Sequence, residues 1–375
     1  MKIALYSENL LKNSGGAEVY ALLLGMALKT EHEICFFSLY DKNKCMYEIC
    51  RKYGLEEMPN SVIYSKRYKN SVLSILESFR IRFLLKRRIQ KRFDLFINCS
   101  SNKMPGIKGI YSIHLIHFPA RNYKKTLPIF FSSILDNQYR NSYQSYLVNS
   151  NFTNYYLYEY WGVKGILLYP PINMGCILEE DIKGKENIIL AVGRLVPDKK
   201  MSDLVQVYKK MSVAGEVSNY KFVIIGNTDS NYLDYYKTLQ QEIQGYNIEI
   251  KSDLNYSELV AYYKKAKIFW HARGYQAENE DPFYMEHFGM TTVEAMANGC
   301  VPIVINKAGQ KEIIENAKVG YLWNDLDELE DYTKVVVNTE NLIPIQMKVV
   351  SASKKYLLES FNRNALKIIG DKESL

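Results

Sequence analysis

The segment Glu286-His287-Phe288-Gly289-Met290-Thr291-Thr292-Val293-Glu294-Ala295-Met296-Ala297-Asn298-Gly299 holds two glutamates separated by seven residues. Its periodicity predicts a helix over Thr291–Asn298, which places Glu286 in the preceding loop and Glu294 about one turn into the helix. Backbone N–H groups at a helix start lack partners within the helix, and the helix dipole favours negative charge there. The amides of Gly289, Met290, Thr291 and Thr292 therefore suit a diphosphate. Glu294 stands among Val293, Ala295, Met296 and Ala297. A carboxylate in so apolar a setting needs a partner, and the two hydroxyls of a ribose would serve. Glu286 can hold sugar hydroxyls near an anomeric carbon. A helix carrying surface carboxylates is the simpler reading, and the apolar neighbours of Glu294 weigh against it.

A second segment, Gly193-Arg194-Leu195-Val196-Pro197-Asp198-Lys199-Lys200, directly follows the strand-like run Asn187–Val192. Arg194 offers a planar fork and Lys199 a mobile point charge. Together they can neutralise a diphosphate leaving group whose charge grows in the transition state. A solvated basic loop is the alternative; a buried strand running straight into Gly-Arg makes it the weaker one. Ser14-Gly15-Gly16-Ala17-Glu18 lets a backbone approach a phosphate at a helix start, but it is not G-x-G-x-x-G. A tight turn opening a helix accounts for it at least as well. His114 and His117 are two of only five histidines and follow another strand-like run, Gly109–His114. Either could meet a sugar hydroxyl or developing charge. For His114 a place in the core is an equal reading.

Short apolar runs alternating with helical stretches position these segments. Strands are expected at Lys2–Tyr6, Glu33–Ser38, Leu95–Cys99, Gly109–His114 and Tyr146–Val148, with Ser150 capping the next helix. A second set is expected at Asn187–Val192, Tyr220–Ile225, Asn247–Ile250, Ile268–His271 and Val301–Ile305. Helices at Ala17–Lys29, Met201–Met211, Ser257–Lys265 and Thr291–Asn298 alternate with them, and Ser351–Gly370 reads as a last helix. Alternation of this kind implies parallel sheets with helices on both faces. The expected fold is α/β, with two Rossmann-like doubly wound domains facing across a cleft. The boundary is expected near Tyr169-Pro170-Pro171, giving domains at 1–170 and 171–350, with the helix at about 351–370 free to pack back on the first.

Across 375 residues the net charge is +7. Residues 1–170 hold 24 Lys+Arg against 12 Asp+Glu, whereas residues 171–375 hold 24 against 29. The basic first half points to an anionic partner. Its densest stretch, Ser78–Arg92, carries Arg80, Arg82, Lys86, Arg87, Arg88, Lys91 and Arg92 and no acid. Phe79, Phe83, Ile89 and Phe93 are spaced to line one face, as on a helix lying on an anionic membrane. An amphipathic helix packed on the first sheet explains the apolar residues equally, though not the missing acids. No nucleic-acid motif accompanies the charge. The six cysteines form no C-x-x-C pair and no zinc spacing, as expected in a reducing compartment. No run of 18 apolar residues and no signal peptide is present, so a protein that is cytoplasmic, or peripheral on the cytoplasmic membrane face, is expected.

The Gly-Arg-Leu…Lys loop and the paired-glutamate segment resemble the second domain of the family 4 retaining glycosyltransferases of GT-B fold. Glu286-His287-Phe288-Gly289, Val293-Glu294-Ala295-Met296-Ala297, Tyr169-Pro170-Pro171, His117-Phe118-Pro119 and Val148-Asn149-Ser150-Asn151-Phe152-Thr153 look like the α-1,2-mannosyltransferase branch of lipid-linked oligosaccharide assembly. The resemblance implies a donor such as GDP-mannose or a UDP-hexose, bound by the second domain, and a glycan or lipid-linked acceptor on the side of the first. It also implies no metal or other cofactor. Gly15 and Gly16 would lie near the donor diphosphate and the acceptor, His117 at the transferred sugar, Arg194 and Lys199 on the diphosphate, and Glu286 on the sugar. Phe288, Gly289, Met290 and Thr291 would complete the donor site, with Glu294 on the ribose. Lys200 and Ala308 stand where the family usually has glycine, and Ala272–Met285 is longer than the family pattern. No membrane helix precedes the first strand, so a dolichol-linked role does not carry over. A GT-B epimerase or hydrolase, or a non-catalytic sugar-nucleotide or membrane-binding protein, is the competing expectation.

Overall fold

In a computed structural model of the chain, all residues are described except 9–15, 40–60, 64–70, 101–105, 121–139, 173, 278–280 and 372–375; at 39, 61–63 and 71–78 only the backbone is described. The chain divides into two compact units, Met1–Pro171 with Leu358–Leu375, and Ile172–Leu357.

The first unit is built on a parallel sheet with strand order β3-β2-β1-β4-β5-β6-β7. Its strands are β1 (Lys2–Tyr6), β2 (Glu33–Leu39), β3 (Ser61–Ile63), β4 (Leu95–Asn98), β5 (Tyr111–Ile116), β6 (Ser145–Val148) and β7 (Ile166–Leu167). β1 pairs β2 on one side and β4 on the other, with Ala4 opposite Cys35 and Phe96. Strands covered on both faces read as continuous apolar runs, which is why β1 and β4 are legible in the sequence. The helix Gly16–Lys29 buries Val19 to Gly25, Ala27 and Leu28 against this sheet. Ser150 caps the helix Asn151–Trp161 by accepting from the Thr153 amide.

The second unit repeats the plan with strand order β10-β9-β8-β11-β12-β13. These are β8 (Glu186–Val192), β9 (Lys221–Gly226), β10 (Ile248–Ser252), β11 (Ala266–His271), β12 (Val301–Ile305) and β13 (Tyr321–Trp323). Chain direction across the sheet reverses between β8 and β11, and in open parallel sheets ligands bind at the carboxyl ends of strands at such a switch point. Arg194 leaves the end of β8, and Arg273 leaves the end of β11.

Two expectations are corrected. The stretch Ser351–Gly370 is not one helix: Ile343–Ser353 ends in a tight turn at Lys354–Tyr356, Leu357 is extended, and a new helix runs Leu358–Gly370. Ile172 N–H donates to the Tyr356 carbonyl, pinning the break. The basic stretch lies on a helix, Ser71–Ile89, as far as Ile89, with Lys91 and Arg92 in the turn beyond, but its buried stripe is Ile81, Leu85 and Ile89. Those residues repeat every four positions, whereas Phe79 and Phe83 are offset by two, which turns them to the opposite side. Phe79 and Phe83 are 60% and 64% exposed, and Phe93 is partly buried away from them.

Candidate functional site

The second unit gathers its charged side chains around Glu286. Glu286 Oε2 accepts from Lys199 Nζ at 2.7 Å, with His271 Nε2 and an Arg273 nitrogen each 3.6 Å away. Burial pushes the Glu286 carboxyl up, but Lys199, His271 and Arg273 outweigh it and hold it well below the usual carboxylate range. Burial likewise holds the His271 ring down despite its acidic neighbour. Glu286 is therefore an anion at neutral pH beside an uncharged histidine and two cations.

Each partner is fixed by its own backbone. The Gly193–Lys199 loop is tied to β9 by the Gly193 and Leu195 amides, which donate to the Ile225 and Asn227 carbonyls at 3.0 Å. A short turn, Pro197–Lys199, then aims Lys199 at Glu286. Lys200 follows with φ +58° and donates to Gln276 Oε1. That left-handed backbone explains why glycine suits this position in the resembling family, and it turns Lys200 away from Lys199. Asp198 faces Arg273 Nε at 3.2 Å. The exposed Arg194 side chain forms no hydrogen bond or ion pair with the described residues. It is a cation with its valence free for a ligand.

The Glu286 loop is held from behind. The Gly309 amide donates to the Glu286 carbonyl at 2.9 Å. A Cβ on Gly309 would lie 2.2 Å from the Phe288 carbonyl oxygen, so only glycine permits this approach. Phe288, expected to face the donor, is instead buried with its ring edge-on to Tyr356, so its backbone alone is left to a ligand. Gly289 adopts φ +123° before the helix Met290–Ala297, whose start has no side-chain cap. Thr292, expected to offer a free amide, donates to the Gly289 carbonyl at 3.1 Å, which removes it from that set. Gly289, Met290 and Thr291 keep N–H groups without an acceptor among the described residues. Beside them, the Gln310 Nε2 group is buried without a partner while Gln310 Oε1 accepts from Thr292.

Glu294 is 8% exposed, and its Oε2 accepts from the Tyr263 hydroxyl at 2.9 Å. Burial pushes the Tyr263 phenol well up, with Glu294 adding to the effect, so Tyr263 is a neutral donor to the carboxyl. Tyr263 has no motif-level signal in the sequence, because it lies 31 residues away on another helix. Arg273 and His271 did carry one: like Arg194, they sit at the carboxyl end of a strand.

The first-unit residues form a different environment. His114 is 2% exposed, donates from Nε2 to the Ser100 carbonyl at 3.0 Å, and stacks on Tyr143. Burial pushes it down to about 3, and His117, bonded at the Cys99 carbonyl, down to about 4. Gly16 opens the helix Gly16–Lys29 and is exposed; Gly15 lies outside the described residues. Glu278 and Glu280 of the extended acidic loop lie outside them too. Arg80, Lys86, Arg87, Arg88, Lys91 and Arg92 are exposed, and Arg82 is half-buried with its guanidinium over the Phe79 ring. Among the described residues no helix is long and apolar enough to cross a membrane.

Residues 178–342 match the family described as Glycosyl transferases group 1. The chain is 23% identical over 251 residues to a GDP-Man:Man(3)GlcNAc(2)-PP-Dol α-1,2-mannosyltransferase of Dictyostelium discoideum, covering 60% of this chain and 46% of the relative. The Homo sapiens protein of the same description is 24% identical over 243 residues, with 60% and 46% covered. The chain thus spans under half the length of these relatives. Among solved structures, Anabaena Alr3699/HepE in complex with UDP and glucose superposes with a TM-score of 0.73 at 15% identity, covering 99% of both chains. Sucrose-phosphate synthase from Thermosynechococcus elongatus gives 0.73 at 14%, covering 99% and 98%.

Proposed function

Taking the chain as a GT-B glycosyltransferase near the α-1,2-mannosyltransferase branch, we propose that it moves a hexose, mannose foremost, from a nucleotide-diphosphate sugar to a hydroxyl of a saccharide or lipid-linked saccharide, with retention at the anomeric carbon. The observation that carries this reading is the grouping of Arg194, Lys199, Glu286 and the uncapped helix start at the switch point of the second sheet. The match to mannosyltransferases supports the sugar.

Arg194, Lys199 and the amides of Gly289, Met290 and Thr291 take the diphosphate charge, which lets the reaction run without a metal ion. Glu286 stays ionised because Lys199 bridges it to the phosphate, and it accepts from sugar hydroxyls. Glu294, oriented by Tyr263, accepts from the ribose. The bond between the anomeric carbon and the diphosphate oxygen breaks as the acceptor oxygen bonds on the same face. The acceptor proton passes to the departing diphosphate. His117, uncharged and donating from Nε2 to the Cys99 carbonyl, keeps Nδ1 as an acceptor for a ligand hydroxyl. A donor panel of GDP-mannose, UDP-glucose, UDP-galactose and UDP-N-acetylglucosamine with a lipid-linked acceptor extract tests the reading. Donor turnover with no sugar acquired by the acceptor would favour an epimerase or hydrolase instead.

A membrane surface is the second partner we propose. Exposed Phe79 and Phe83 stand beside the exposed cations of the same helix, while Ile81, Leu85 and Ile89 face the core. Aromatic rings enter the interface and each cation adds about 1 kcal/mol at an anionic surface. Arg87→Glu, Arg88→Glu and Lys91→Glu together should release the protein from phosphatidylserine vesicles. Unchanged co-sedimentation would reject this partner.

A further inference from the structure

Beside the Glu286 cluster the second unit holds a cavity of about 800 Å³. Small-molecule clefts span roughly 300 to 1,000 Å³, so a short saccharide fits. One wall carries Arg194, Arg273 and Asp198; the opposite character comes from Tyr232, Tyr275, Phe283 and Tyr284. Phe283 is 62% exposed and Tyr284 53%, and neither is needed to fill the core. Tyr275 is anchored from behind by Trp323, at 5.5 Å between ring centroids. Phe283 and Tyr284 lie edge-on at 5.9 Å, and the Phe283 carbonyl accepts from Arg273. The aromatic loop is thereby tied to the same guanidinium that faces Glu286 and Asp198.

The lining is chemically mixed. Its three cations, Arg194, Lys200 and Arg273, are set against two carboxylates, Asp198 and Asp281. A site for a free phosphate would not carry two acids. Cationic donors and carboxylate acceptors side by side, next to exposed aromatic faces, match a ring bearing hydroxyls on its edge and C–H groups on its face.

We propose that this cavity is an acceptor subsite for neutral pyranose rings, carried wholly by the second unit, with Phe283 and Tyr284 as its stacking surface and Arg273 as its hydroxyl-reading group. The proposal rests on the transferase reading above, since the cavity shares Arg194 with the donor's diphosphate end. Its placement at the Glu286 side would bring an acceptor hydroxyl toward the sugar held there. Within Ala272–Met285, residues 273–277, 281, 283 and 284 then have a use: they line the cavity.

The test is direct binding without donor. Full-length protein is titrated with mannobiose, maltose and N,N′-diacetylchitobiose, followed by saturation-transfer NMR. Binding of at least one disaccharide is expected, with a tenfold or greater loss in the Phe283→Ala/Tyr284→Ala double variant. Both residues are exposed, and circular dichroism checks the variant's fold. In parallel, GDP and UDP affinities of the same variant are expected to change less than twofold. Absence of saccharide binding by the parent, binding retained in the variant, or a loss of nucleotide affinity instead would each overturn the proposal. Because no turnover is measured, failure of the transferase reading would be seen separately, in the donor panel.

Discussion

The two units bury ionisable side chains by opposite means. In the first, His114 and His117 sit beside carbonyls and aromatic rings and lose their charge. In the second, Glu286, with 19% of its side chain exposed, keeps its charge because Lys199 and Arg273 surround it. The same sheet architecture thus makes one neutral, hydrogen-bonding environment and one polarised environment. What differs is whether cations emerge at the carboxyl ends of neighbouring strands. Only the second arrangement is suited to a reaction that liberates negative charge.

Lys199→Ala should break this contrast most strongly. Transfer should fall about 10²–10³-fold, the usual scale for losing one electrostatic contact to developing charge. Glu286, deprived of its nearest cation, should also titrate at higher pH. The acid limb of the activity profile should move upward, as measured by initial rates across pH. An unchanged limb would mean that Lys199 does not set the Glu286 charge.

His114 sharpens the other side of the contrast. Its folded value of about 3 lies below the ordinary 6.5. The unfolded chain therefore binds a proton that the folded one refuses between those values. Its stabilising contribution is whole above pH 6.5 and is lost as pH falls toward 3, at about 1.4 kcal/mol per pH unit inside that window. His114→Gln should flatten the decline of denaturant midpoint with acid. An equally steep decline would assign it to other groups.

A smaller effect is expected for Tyr263→Phe. Removing the hydroxyl leaves the Glu294 carboxylate short of a buried donor, at a cost of roughly 1–3 kcal/mol. Nucleotide affinity should weaken with it, by calorimetry, while the disaccharide affinity of the neighbouring cavity stays put.

Much of this frame could be read in the sequence. β1, Lys2–Tyr6, and β12, Val301–Ile305, were marked by unbroken apolar runs, and the Ser150 cap by its residue type. Arg194 and Lys199 were marked by a motif that follows a strand end, and Glu286 by its motif before a helix start. What escaped were contacts between distant segments. The partnership of Tyr263 with Glu294 has no local signal, nor does the seating of Phe288 against Tyr356. The helix Ser71–Ile89 misled through phase: its aromatic residues and its buried stripe lie two positions apart, and only the sheet beneath decides which turns inward. Arg273 was hidden in a loop longer than the family pattern, although its place after β11 mirrors that of Arg194 after β8.

The central claim is that the cluster around Glu286 holds and transfers a nucleotide-linked sugar. It is tested most directly by assaying the parent, Glu286→Ala and Arg194→Ala with the four-donor panel and a lipid-linked acceptor extract. The parent should glycosylate the acceptor from one donor, GDP-mannose foremost, and both folded variants should fall at least 100-fold. Variants that transfer sugar as well as the parent would contradict the assignment of the site.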